Sequence, residues 1–231
     1  MFKKLVVGRY LNFRDPKPKL TYVDGEFLAQ PRVALTVEQS AKEKVDVQKR
    51  DSKGDLVKLP DHSIKLVTQK QRVSDILAGE NEEKAHRNFQ WLGYYPGAVS
   101  EVTLDNLPVL SGPFSGCWMM VYRKDGRVHV GHVGTDINRP EKTRAAKEAW
   151  VGFANPNRFD VLRGFNPVRA WAEDSPERIS GDGTPVMIWG LVTEDQLYSI
   201  YLRQGGLEPT RYRIAGVKQV EPTYMTALAE I

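Results

Sequence analysis

The order of apolar and polar positions divides the chain into sections of different texture. Residues 1–70 alternate short apolar runs at 5–7, 20–23, 33–37 and 64–67 with proline, glycine and charged positions, the pattern of short strands between turns. Within this section, residues 42–59 are polar enough for a mobile loop. From residue 71 the spacing becomes helical: Val73, Ile76 and Leu77, then Ala85, Phe89 and Leu92, recur at helical intervals up to residue 92. Ser74 fits the N-cap of that helix, Gly79 interrupts it, and the run Gly93, Tyr94, Tyr95, Pro96, Gly97 ends it in a turn.

The second half returns to strands. Residues 117–123 and 128–133 read as a hairpin around Asp125 and Gly126, and further strands follow at 184–192, 197–202 and 212–217. Between them Asn138 fits the cap of a helix that begins near Pro140, runs through Ala149 and Trp150 to Phe153, and stops at Asn155, Pro156 and Asn157. Strands outnumber helices and no βαβ rhythm occurs. The pattern therefore predicts an α+β fold, a mainly antiparallel sheet or sandwich core flanked by a few helices. Residues 1–70 form a β-rich N-terminal section and 71–231 the section that carries the chemistry, the two expected to make one compact domain.

The hairpin turn fixes a register. An Asp-Gly pair favours a two-residue type I′ turn, which sets Lys124 opposite Arg127 and hence Met119 opposite His132 and Cys117 opposite Gly134. Opposed residues share a face and side chains alternate along a strand, so Cys117, Met119, Val130 and His132 project together. His129 pairs with Tyr122 on the other face. A single-residue bulge would reverse this parity and bring His129 to the side of the cysteine.

Cys117 is the only cysteine of the chain. A free cysteine commonly serves as a small buried hydrophobe. A thiol with a histidine diagonal to it across a strand pair, at roughly 7–8 Å between backbones, is also the outline of a nucleophile and its base. The residues alone leave both readings open. Papain-like amidases place their histidine far downstream of the cysteine, and His132 is the last histidine here, which excludes that arrangement unless the strand order is permuted.

The segment Phe114, Ser115, Gly116, Cys117 followed by His132, Val133, Gly134, Thr135 resembles the catalytic signature of the bacterial glutamine deamidase toxins: the cytotoxic necrotizing factors and the Burkholderia lethal factor. The chemoreceptor deamidase CheD carries a related Cys-His pair. The family's motif reads Leu-Ser-Gly-Cys, so Phe114 departs from it while keeping the position apolar. The resemblance implies Cys117 as nucleophile, His132 as base and Ser115 as a small polar residue in the active-site turn. It implies no cofactor, and as partner a protein that presents a glutamine side chain, with small GTPases and translation factors as candidate classes.

The chemistry so implied is acyl transfer through a thioester, ending in hydrolysis to glutamate. With a primary amine in place of water the same site would be a transglutaminase. The oxyanion needs two donors, for which the Cys117 N–H and either the Ser115 hydroxyl or a nearby amide are candidates. Thr135, Asp136, Asp105, Asn106 or a backbone carbonyl could each orient His132, and the sequence does not choose among them. The other reading is a noncatalytic protein-binding or assembly module in which Cys117 belongs to the core.

Composition narrows the remaining classes. The 231 residues include 41% hydrophobic and 27% charged positions, ordinary for a globular protein. Basic residues exceed acidic ones by 33 to 29, and they lie interspersed with acidic neighbours rather than in a stripe, so a nucleic-acid surface is not indicated. Four histidines and one cysteine offer no metal-ligand spacing, and no glycine-rich loop precedes a helix. No apolar run approaches the ~20 residues of a membrane span, and the N-terminal apolar stretch is too short for a signal-peptide core. The expectation is a protein folded in the cytoplasm of its producer, delivered into a target cell by a secretion route if it is a toxin. Trp91, Tyr94, Tyr95 and Trp118 flank the candidate site in sequence and could pack the core or line a groove.

Overall fold

A strand whose two faces are both apolar must be covered on both, and much of this chain is built from such strands. The computed structural model describes residues 5, 7, 10–12, 20–40, 42–48, 51–53, 57, 66–72, 85–157, 160–171, 186–204 and 211–223. In chain order the strands are β1 (Tyr10–Asn12), β2 (Phe27–Ala29), β3 (Ala34–Ser40), β4 (Lys42–Gln48), β5 (Leu66–Arg72), β6 (Ala85–Leu92), β7 (Val99–Thr103), β8 (Val109–Phe114), β9 (Trp118–Lys124) and β10 (Arg127–Val133). The helix α1 (Pro140–Ala154) follows, then β11 (Val161–Phe165), a 3-10 turn at Arg169–Trp171, β12 (Val186–Val192), β13 (Leu197–Gln204) and β14 (Arg211–Val220).

Seven strands close a barrel in the order β1-β14-β13-β12-β8-β6-β3, and five form a sheet in the order β11-β9-β10-β7-β2. Neighbours are antiparallel except β6 with β8 and β2 with β7. β4 and β5 pair separately. The α+β class with a mainly antiparallel core is the fold observed, and residues of the N-terminal section supply β1 and β3 to the barrel.

Three apolar layers hold these parts together. Phe89, Trp91, Leu110, Trp189, Leu191, Ile200 and Ile214 fill one cluster from alternate positions of the barrel strands. The opposite parity of the same strands, Leu92, Val109, Val192 and Leu197, meets Met119, Val121, Val130 and Phe165 of the five-stranded sheet. The other face of that sheet, with Trp118, Met120, Tyr122 and Val133, receives Ala146, Trp150 and Ala154 of α1. Burying one large apolar side chain such as Trp150 contributes about 1.5–3 kcal/mol. β9 is thus covered on both sides, by the barrel and by the helix.

Several expectations are corrected. Residues 85–92 form β6 rather than a helix, and residues 66–72 form β5. β6 lies between β3 and β8, so Phe89 and Trp91 face one core layer and Leu92 the other. Apolar residues on both faces of a strand mimic the spacing of a helix stripe. Ser74, Gly79 and the positions Val73, Ile76 and Leu77 lie outside the described residues. The polar stretch at 42–59 contains strand β4, and residues 20–23 precede a turn without forming a strand. The helix at Pro140–Ala154 is present, but its N-cap is Arg139 with no side-chain cap bond, rather than Asn138. Asp136 organises this start: its carbonyl accepts from Thr143 Oγ1 at 2.7 Å, and its carboxylate accepts from the Asn138 N–H at 3.0 Å.

Candidate active site

The hairpin that carries Cys117 and His132 has the register its turn dictates. Lys124 pairs with Arg127, Met119 with His132 and Trp118 with Val133, without a bulge between β9 and β10. Asp125 and Gly126 have φ of 51° and 74°, the two positive values of a type I′ turn. Cys117 directly precedes the first paired residue. Its side chain lies with Phe114, Met119 and Val130 in the layer between sheet and barrel, and it is 2% exposed. His129 pairs with Tyr122, stacks on its ring at 5.9 Å and lies 4.0 Å from the Glu101 carboxylate.

His132 is fully buried, stacked on Phe114 with ring centroids 4.2 Å apart. Its Nδ1 lies 2.9 Å from Ser111 Oγ, and the Ser111 hydroxyl donates to the Leu92 carbonyl at 2.7 Å. A carbonyl can only accept, so the single hydroxyl proton of Ser111 is committed to Leu92. Ser111 Oγ must then accept from His132 Nδ1–H. This fixes the tautomer: Nε2 carries the lone pair, and it has no hydrogen-bond partner. Burial lowers the His132 pKa to about 3, so the ring is neutral throughout the physiological range.

The thiol is held differently. Cys117 Sγ–H donates to the Thr135 carbonyl at 3.3 Å, and Thr135 Oγ1 lies 3.1 Å from the sulfur. Burial raises the Cys117 pKa above its ordinary value, opposed chiefly by the hydrogen bond with the Thr135 hydroxyl. The resting pair is therefore a neutral thiol and a neutral imidazole, on one sheet face with no hydrogen bond between them. Thr135 is fixed by the close passage of Gly134, whose N–H donates to the Ala98 carbonyl at 2.9 Å. A Cβ at position 134 would fall 1.9 Å from the Tyr95 carbonyl oxygen, which explains a glycine between His132 and Thr135. Tyr94 completes the setting by donating to the Thr135 carbonyl at 2.8 Å.

Ser115 and Gly116 form the exposed turn that leads through Cys117 into β9, with Gly116 at φ 153°. Asn166 Nδ2 donates to the Gly116 carbonyl at 2.9 Å, while Asn166 Oδ1 accepts the N–H groups of Val168 and Arg169. The turn is thereby tied to the segment after β11. Beside it opens a cleft of about 290 Å³ whose walls include Ser115, Gly116, Trp118, Thr135 and Asn166. Substrate reaching this cleft would meet the turn that carries Cys117.

The candidate orienting residues fall elsewhere. Asp105 pairs with Arg32 at 3.0 Å, Asp136 with Arg139 at 2.7 Å, and Thr135 meets the thiol instead of the imidazole. Asn106 lines a separate groove of about 710 Å³. Ser111, the partner that the imidazole does have, was not foreseen from the sequence. Its signal is weak but present: a polar position in the otherwise apolar strand 109–114. Of the flanking aromatics, Trp91 is core against Trp189 at 5.7 Å, Tyr95 meets Tyr22 at 5.4 Å, and Trp118 borders the cleft. Among the described residues no group of three or more metal-ligating side chains occurs, and no helix is long and apolar enough to cross a membrane.

No family model matches the chain, and no curated protein does. Among solved structures the chain is similar to the C-terminal domain of CNFy from Yersinia pseudotuberculosis, with 11% sequence identity and a TM-score of 0.28. That likeness covers 59% of this chain and 63% of the other, so the chain spans less than two thirds of the domain it matches.

Proposed function

We propose that the protein is a cysteine-dependent glutamine deamidase that acts on a host protein, as a bacterial toxin or effector. The observation that carries this reading is the tautomer of His132: a buried, neutral imidazole whose bare Nε2 lies on the sheet face of the only thiol. A general base needs a lone pair held ready, and here Ser111 holds it.

In the proposed reaction Cys117 Sγ turns from Thr135 toward His132, and its proton passes to Nε2. The sulfur attacks the carboxamide carbon of the glutamine and forms a C–S bond. The C–N bond then breaks, and ammonia leaves with the proton returned by the imidazolium. Water, deprotonated by Nε2, attacks the thioester; the C–S bond breaks, the imidazolium returns its proton to the sulfur, and glutamate is released from the free thiol. The Cys117 N–H and a donor of the Ser115–Gly116 turn face the developing oxyanion. A primary amine in place of water gives transglutamination.

A second reading is favoured by one observation: Cys117 is nearly inaccessible and its pKa is raised, as for a core residue of a noncatalytic binding module. Ammonia release from host-cell extract separates the two. The wild-type protein should release ammonia while Cys117→Ser and His132→Gln release none. Equal release by all three, or none by the wild type, contradicts the deamidase.

A further inference from the structure

Among the described residues, the charged side chains that line the cleft beside Cys117 are of one sign. Lys147 and Arg169 are the cations of this lining, and among the described residues it holds no carboxylate. Lys147 stands on α1 one turn after Thr143, which also borders the cleft. Arg169 starts the 3-10 turn whose position Asn166 fixes, and its guanidinium lies over the Trp118 ring at 5.3 Å. Stacking on an indole orients a guanidinium while leaving its N–H edge open to a ligand.

Among the described residues, neighbouring charges do not neutralise this pair. Asp136 is bonded by Arg139, and the other nearby lysine of α1, Lys142, is engaged by Asp24 at 2.6 Å. Glu148 follows Lys147 on α1 but is not part of the cleft wall. Among the described residues, Lys147 and Arg169 form no ion pair. Two unpaired cations at the rim of a partly enclosed cleft favour an anionic ligand.

We propose that Lys147 and Arg169 select glutamines flanked by an aspartate or glutamate, whose carboxylate they bind while the carboxamide lies at Cys117. This rests on the deamidase reading for the glutamine itself, but the binding of the acidic flank does not require turnover.

The test uses three synthetic peptides with the same central glutamine, flanked by glutamates, by alanines or by lysines. Affinities are measured by calorimetry with the Cys117→Ala protein and ammonia release with the wild type. The acidic peptide should bind most tightly and weaken as salt rises. Its affinity should fall roughly tenfold for Lys147→Met or Arg169→Met, the loss expected of one charge-assisted hydrogen bond. The Lys147→Glu, Arg169→Glu double variant should prefer the lysine peptide, and Arg144→Met, an exposed cation of α1 outside the cleft, should change nothing. Equal affinity for the three peptides, no binding of any, or an acidic preference that survives loss of both cations overturns the proposal. Selective binding of the acidic peptide without ammonia release contradicts the deamidase reading and leaves the acidic-flank selectivity standing.

Discussion

Ser111 Oγ accepts the Nδ1 proton of His132 across 2.9 Å, from a strand of the barrel to a strand of the five-stranded sheet. The bond joins the barrel to the five-stranded sheet and determines which imidazole nitrogen is basic.

Replacing Ser111 tests this bond. Ser111→Ala leaves a buried N–H without an acceptor, at a cost of about 1–3 kcal/mol in unfolding free energy. The ring is then free to take the other tautomer. Glutamine turnover should fall in kcat by ~10-fold or more, up to the 10²–10⁴ that a general base commonly supplies, with KM little changed. Steady-state kinetics beside a denaturant titration checks both, and an unchanged kcat in a stably folded variant contradicts the role given to Ser111.

The burial of His132 sets the pH dependence. Because burial lowers its pKa to about 3 and raises that of Cys117, the neutral pair persists across the range between them. The rate of ammonia release should be flat between roughly pH 5 and 8, without the limb near 6.5 of an ordinary histidine. A pH–rate profile with such a limb contradicts a buried, neutral base.

The same burial makes stability fall in acid. Below its ordinary pKa of 6.5 the unfolded histidine gains a proton that the folded one refuses until about pH 3, so the unfolded state binds more protons in that window. His132 alone should lower stability as pH falls through it, by up to ~1.4 kcal/mol per pH unit. The difference in unfolding free energy between pH 7 and pH 4 should shrink in His132→Phe. An identical difference in both proteins contradicts the burial.

The hairpin and α1 were legible because their causes are local. The Asp125–Gly126 turn imposes the register of Met119 against His132, and Pro140 with the following amphipathic run defines the helix. β6 was illegible because Phe89, Gln90, Trp91 and Leu92 are all buried, so the alternation that marks a strand is missing. The Cys117–His132 parity followed from the turn. Ser111 did not, since its approach to His132 depends on how the barrel stacks on the sheet, a long-range relation that no spacing in the chain encodes. Asn138 fitted a cap by residue type, yet Asp136 takes the bonds at that helix start.

Thr135 tunes the Cys117 thiol. Its Oγ1, 3.1 Å from the sulfur, can donate to the thiolate and so favours it against burial. Thr135→Val keeps the carbonyl and removes the hydroxyl, so Cys117 should ionise less readily and react severalfold more slowly with a small alkylating reagent at fixed pH. Mass spectrometry of the labelled cysteine over time measures this, and equal rates contradict a hydroxyl–sulfur bond.

The central claim is that Cys117 and His132 together convert a glutamine of a host protein to glutamate. Residue-level mass spectrometry of host proteins, after incubation with wild type, Cys117→Ser or His132→Gln, tests it most directly. The amide-to-acid mass gain should appear at a defined glutamine with the wild type and only at background level with either variant. The same gain with Cys117→Ser, or no glutamine altered by the wild type, would contradict it.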